Sequence, residues 1–135
     1  MTYLVDANIL SEPTKPRPKE AVVDWLRANQ AELVVDSVII GEIRLGILRL
    51  PKGPRREGLE RWFEGGIKKM VCLPWDRDVA MRWAELIVEV QRLGRTLPVF
   101  DSMILATART YGLKVVTRNR RDFENLGVGV INPFE

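Results

Sequence analysis

Five short apolar runs, at residues 2–5, 33–35, 70–73, 114–117 and 128–131, divide the chain, and most show no alternation of polar and apolar positions. A strand with one wet face alternates, so continuous runs of this length predict strands buried on both faces, as in a parallel sheet. The intervening segments have helical periodicity. Val79, Trp83, Leu86, Ile87, Val90 and Leu93 share one face, as do Leu59, Trp62, Phe63 and Ile67, and, on a shorter segment, Val22, Trp25 and Leu26. Strands alternating with helices predict an α/β domain whose right-handed crossovers place helices on both faces of the sheet. Ligands of such sheets gather beyond the carboxyl ends of the strands.

A chain of 135 residues is the size of one domain, so residues 1–135 are read as a single unit. The linker-like stretches "PTKPRPK" at 13–19 and "LPKGPRREG" at 50–58 are short enough to be loops within it. No uncharged stretch approaches the roughly 20 residues that span a bilayer, and no membrane span is expected. The amino terminus lacks the basic and apolar regions of a secretory signal, which points to the cytoplasm.

Composition narrows the chemistry. The chain has no histidine, which removes Ser-His-Asp and Cys-His mechanisms and every imidazole-ligated zinc site. Its single cysteine, Cys72, can form neither an internal disulfide nor a thiolate cage, and in "MVCLPW" it is expected in the core. Catalysis must then rest on carboxylates, lysine or a hard cation. A net charge of +3 suits a polyanionic partner without requiring one.

Four acids fall at strand exits or on the helices that leave them. Asp6 directly follows the first strand, Glu42 lies in "SVIIGEIRLG", Asp101 opens "DSMILATAR", and Asp122 lies just past the "LKVV" strand. Each has an ordinary alternative. Asp6 and Asp101 could be helix caps, and Asn119 could cap a short helix with Asp122 as its reciprocal partner. Glu42 is harder to explain that way, because it sits among Ile39, Ile40, Ile43 and Ile47 and glutamate is rarely buried without a partner. Gly41 and Gly46 on the same segment each cost about 1 kcal/mol in a helix, and predict close approach of neighbouring backbone.

In a parallel sheet these four carboxylates are expected to converge, and like charges so placed need a cation or a shared proton. An all-oxygen set fits Mg²⁺ or Mn²⁺, either of which can lower the pKa of a bound water and support in-line attack on a phosphodiester. Asn8 can then fix the Asp6 carboxylate or hydrogen-bond a ligand phosphate.

"YLVDANILSE", "VIIGEIRLGILRLPKGPRR" and "LPVFDSMILATARTYGLKVVTRNRRDFENLGVGVINPF" resemble, in order, the motifs of PIN-domain proteins, in particular the ribonuclease toxins of VapBC-type modules and their FitB-like group. The resemblance covers residues 3 to 134. It implies a three-layer α/β/α domain with a parallel central sheet, an Mg²⁺- or Mn²⁺-dependent endoribonuclease site, a homodimer, and a small antitoxin that blocks the site. By motif position it makes Asp6, Glu42 and Asp101 the central acids. Asp122 is taken as the fourth, in a family where the acid sometimes stands at the position of Asn119. Thr117 and Asn119 are then substrate or metal-water contacts, and Tyr111 is peripheral.

Arg118, Arg120 and Arg121 flank the expected site, and Lys52, Arg55 and Arg56 crowd the loop after the Glu42 helix. Guanidinium groups hold phosphates bidentately, so Arg118 and Arg121 are read with Asn8, Thr117 and Asn119 as RNA-binding residues. Trp25, Trp62, Trp75 and Trp83 exceed what so small a core encloses, and some are expected at a dimer or antitoxin surface. Two other functions fit part of the pattern: a non-catalytic RNA-binding module, and an Mg²⁺-dependent phosphoacceptor receiver. The receiver calls for adjacent acids after the first strand, where "VDANIL" has one.

Overall fold

The computed structural model describes residues 1–135. Its five strands are β1 (Tyr3–Val5), β2 (Leu33–Asp36), β3 (Cys72–Leu73), β4 (Lys114–Val116) and β5 (Val130–Ile131). All pair in parallel, in the order β3-β2-β1-β4-β5. Leu4, Val5, Val34, Val35, Val115 and Val116, on the three central strands, are at most 2% exposed. Burial on both faces is what their unbroken apolar sequence requires. Each such side chain contributes about 1.5–3 kcal/mol by leaving water.

Seven helices cover the sheet: α1 (Ala7–Leu10), α2 (Glu20–Ala28), α3 (Ser37–Leu48), α4 (Pro54–Gly65), α5 (Arg77–Arg92), α6 (Val99–Tyr111) and α7 (Arg120–Phe123). Helix α4 starts inside the stretch read as a loop at 50–58, since Pro54 at its first position needs no amide partner and has its φ preset. Helix α6 ends at Gly112, whose φ of 67° is the left-handed cap that a side chain opposes. No helix is long and apolar enough to cross a membrane.

From β1 the chain winds outward through β2 and β3, then returns to place β4 and β5 on the other side. The order therefore reverses beside β1, and the carboxyl ends of β1 and β4 flank the resulting crevice. Pairing of Val5 with Val116 sets Asp6 next to Thr117 at that edge.

Two expectations from sequence are corrected here. Cys72 is exposed, because β3 is a two-residue edge strand whose alternation turns Leu73 inward and Cys72 out. A Cβ added at Gly41 or Gly46 would meet nothing within 4 Å, so these glycines face open space, not close backbone. None of the four tryptophans is fully buried. Trp25 packs edge-on against Tyr3 and Trp75 against Trp83, each with part of its surface open.

Candidate active site

The chain leaves β1 at Asp6 and turns directly into α1. Asp6 caps that short helix: Oδ1 accepts from the Ala7 amide at 2.7 Å. Its Oδ2 accepts from the Thr117 hydroxyl at 2.8 Å and from Asn8 Nδ2 at 3.3 Å. The capping and site roles of Asp6 are thus compatible, since its two oxygens divide the work. Burial raises its pKa, against the lowering effect of these three donors.

Asp36 ends β2 as Asp6 ends β1. It is fully buried, caps α3 through the Ile39 amide at 2.8 Å, and accepts the Thr107 hydroxyl of α6 at 2.6 Å. Burial also raises its pKa, in spite of those bonds. Asp36 is not among the four acids expected from the sequence. The available signal was "VVDS", an acid immediately after an apolar run, in the same relation to β2 as Asp6 to β1.

Glu42 projects from the second turn of α3. Its Oε1 is buried and has no hydrogen-bond partner. Burial first, then the charges of Asp6 and Asp36, push its pKa up to about 7. Asp101 lies in the first turn of α6, whose cap position is Pro98, so its side chain is free of the capping role considered for it. It is 8% exposed. Burial, a hydrogen bond with the Asp122 carboxyl, and the charges of Asp6, Asp122 and Glu42 push its pKa up to about 7. The first turn of α6 is held by two indoles: Trp83 Nε1 donates to Ser102 Oγ at 2.9 Å, and Trp75 Nε1 to the Met103 carbonyl at 3.2 Å.

Asp122 enters through Asp101 and not as a cap partner, because Asn119 makes no side-chain cap bond to α7. Arg95 steadies that helix, its guanidinium donating to the carbonyls of Glu124 at 2.8 Å and Arg121 at 3.1 Å. The structure thus brings Asp6, Glu42, Asp101 and Asp122 into one electrostatic neighbourhood, with Asp36 beneath them.

They form a shared field and not a closed cage: no three acidic, thiol or imidazole groups are drawn together tightly enough to coordinate one point. The donor set nevertheless fits a hard cation. It is all oxygen, the charge of Asp6 raises the proton affinity of Glu42 and Asp101, and the Glu42 oxygen is buried and unsatisfied.

The expected substrate contacts separate into several places. Thr117 is fully buried and serves Asp6, while its Oγ1 accepts from the Asn119 amide at 3.1 Å. Asn8 uses its amide group on Asp6 and its Oδ1 on the Arg118 backbone N–H at 3.2 Å, so it ties the two carboxyl-edge loops together. Asn119 and Arg121 are exposed. The Arg118 guanidinium lies over the Phe134 ring at 4.3 Å. Arg120 is committed to Glu124 and Glu135, and Arg56 to Glu60 and the Leu50 carbonyl. Beside Glu42 opens a cleft of about 260 Å³, lined by Asn8, Lys15, Gly46, Arg55 and Trp62 among others.

The PIN domain family matches residues 3–129. "VapC ribonuclease Y4jK" of Sinorhizobium fredii is 32% identical over 136 residues, spanning 98% of this chain and 97% of that protein. "Toxin FitB" of Neisseria gonorrhoeae is 33% identical, with 97% of each chain covered. In structure, the chain is similar to FitAcB from Neisseria gonorrhoeae, with a TM-score of 0.92, 31% identity and 99% of both chains covered.

Proposed function

The chain belongs to the PIN-domain family, and from that premise we propose that it is an Mg²⁺- or Mn²⁺-dependent endoribonuclease, the toxin of a toxin–antitoxin pair. The observation that carries this reading is the group of Asp6, Glu42 and Asp101, acids distant in sequence, in which the charge of Asp6 raises the proton affinity of both Glu42 and Asp101 at the carboxyl edge of the sheet. The names of the similar proteins support the activity and the toxin role. Neighbouring solved structures of toxin–antitoxin complexes support an antitoxin as partner, and a homodimer is part of the same proposal.

Asp6, Glu42 and Asp101, with Asp122 behind Asp101, are the residues that would hold the cation. When bound, such an ion supplies a Lewis acid that neutralises charge developing on a phosphodiester and makes water a stronger nucleophile. The protein's own contribution is positional and electrostatic. Thr117, Asn8 and the Ala7 amide hold both Asp6 oxygens in fixed directions. Glu42 brings a buried Oε1 with no other hydrogen-bond partner, an oxygen that would be free to ligate the cation. Asp101 has its proton affinity raised by burial first and by the neighbouring Asp122, Asp6 and Glu42 carboxylates, a balance that bound positive charge would reverse.

Purified protein incubated with Mn²⁺ and total RNA tests the proposal. Cleavage is expected, and it is lost in chelator and reduced at least about a hundredfold in Asp6→Asn. Intact RNA under all conditions, with induced Asp6→Asn cells growing no better than wild type, would retire it.

A further inference from the structure

A second cleft, of about 830 Å³, opens on the other side of Lys15 from the one beside Glu42, and both are lined by that residue. Its floor is Glu12, only 4% exposed, whose carboxylate accepts the Lys19 backbone N–H at 2.8 Å and pairs with Lys15 Nζ at 2.9 Å. These bonds hold Glu12 below the usual carboxylate range, the backbone bond most of all. Glu12 thus pins the proline-rich 13–19 segment and leaves its outward charges elsewhere. Arg17, Lys19 and Arg118 line the cleft and enter no ion pair, with Glu20 the one uncommitted acid among them. On the far wall the Arg118 guanidinium lies over Phe134. Arg118 is also one hydrogen bond from Asn8, and Asn8 one from Asp6.

We propose that this cleft is a binding track for single-stranded RNA, in which Arg17 and Lys19 hold phosphates and the Arg118–Phe134 pair is a platform for an unstacked nucleobase beside the cleavage site. It rests on the ribonuclease reading for the identity of the ligand. The chemistry is that of single-strand recognition: a basic groove follows the backbone while aromatic rings and guanidinium planes accept base faces that a duplex hides. It also places the incoming strand along the 13–19 segment.

The test is anisotropy of a labelled single-stranded RNA on the Asp6→Asn protein without divalent metal, over a range of salt. Binding should weaken with salt, and Arg17→Ala/Lys19→Ala should lower the logarithmic salt slope by about 1 to 1.5, the value for two single-strand phosphate contacts. Arg82→Ala/Arg92→Ala, an equal charge change on exposed positions of α5, should leave the slope near that of Asp6→Asn alone. Phe134→Leu should lose roughly tenfold in affinity at unchanged slope. Arg118→Lys, which keeps the charge, the fold and the backbone bond to Asn8, should do the same. Equal slope changes for the two double variants, or wild-type affinity in both Phe134→Leu and Arg118→Lys, would overturn the track. Track-dependent binding with no cleavage by the unsubstituted protein in Mn²⁺ would sustain the track and retire the nuclease, whereas undiminished cleavage of long RNA by Arg17→Ala/Lys19→Ala would do the reverse.

Discussion

The Thr107 hydroxyl donates to the fully buried carboxylate of Asp36 across 2.6 Å, and so joins the start of the helix that carries Glu42 to the middle of the helix that carries Asp101. The other Asp36 oxygen holds the first turn of α3 at the Ile39 amide. One side chain therefore fixes how far apart two of the site acids stand, although neither of its bonds is made to them.

Thr107→Val keeps the shape of the side chain and removes the donor. The Asp36 oxygen left behind has no water to turn to, which costs about 1–3 kcal/mol of stability. Activity should fall as well, by about tenfold, through loosened spacing of Glu42 and Asp101. Chemical denaturation alongside RNA cleavage at saturating substrate checks both effects. Lost stability with unchanged kcat would make the bond merely structural.

Stability of the metal-free protein should fall as pH rises from about 4.5 to about 7. Glu42 and Asp101 have folded pKa values pushed up to about 7, so over this window the native state keeps protons that the unfolded chain has released. The stabilisation is complete below the unfolded values near 4 and is lost as pH passes through the folded ones. Glu12, Glu32 and Glu89 are shifted downward, and their stabilisation is lost only as pH falls below about 4.5, outside the window. Thermal melts in chelator at about pH 5.5 and about pH 8 should differ by roughly 1–2 kcal/mol, discounted for solvent screening. Glu42→Gln should narrow the difference.

Much of this arrangement is legible in the sequence. Unbroken apolar runs identify β1, β2 and β4 because a strand covered on both faces has no polar position to show, and an acid at the end of β1 marks the sheet edge. Partnership is less legible. Thr117 and Asp6 are 111 residues apart and become neighbours only through the β1–β4 register, so the sequence could not say that the threonine lies beneath the carboxylate. Asp36 was hidden by its capping role, which any aspartate before a helix can fill. Cys72 misled because free cysteine is usually buried, a tendency with no force on the outer side of a two-residue edge strand.

Arg95 connects the segment before α6 to the Arg121 carbonyl of α7, the helix that bears Asp122, and to the carbonyl of Glu124, which caps that helix. Arg95→Ala releases both. A loss of about 1–3 kcal/mol is expected from these charge-assisted bonds. Cleavage should also decline several-fold as Asp122 loses its fixed place against Asp101, and a kcat equal to wild type would show that α7 stays docked without the arginine.

Met81 and Val88, seven residues apart on one face of α5, are 61% and 45% exposed. Apolar side chains so aligned are a suitable contact between copies of the chain. The protein should be a dimer by light scattering at micromolar concentration, and Met81→Glu/Val88→Glu should shift it towards monomer while leaving far-ultraviolet circular dichroism unchanged. A wild-type monomer would contradict the dimer proposal, and a variant that stays dimeric would place the contact elsewhere.

Calorimetric titration of Mn²⁺ into chelator-stripped protein at about pH 8 addresses the site acids without reference to any RNA. Saturable binding to the wild type and its loss in folded Asp6→Asn, through removal of one anionic ligand from the set, is the expected result. A wild type that takes up no Mn²⁺, or an Asp6→Asn protein that binds it equally well, would contradict the claim that these acids are gathered to hold a divalent ion.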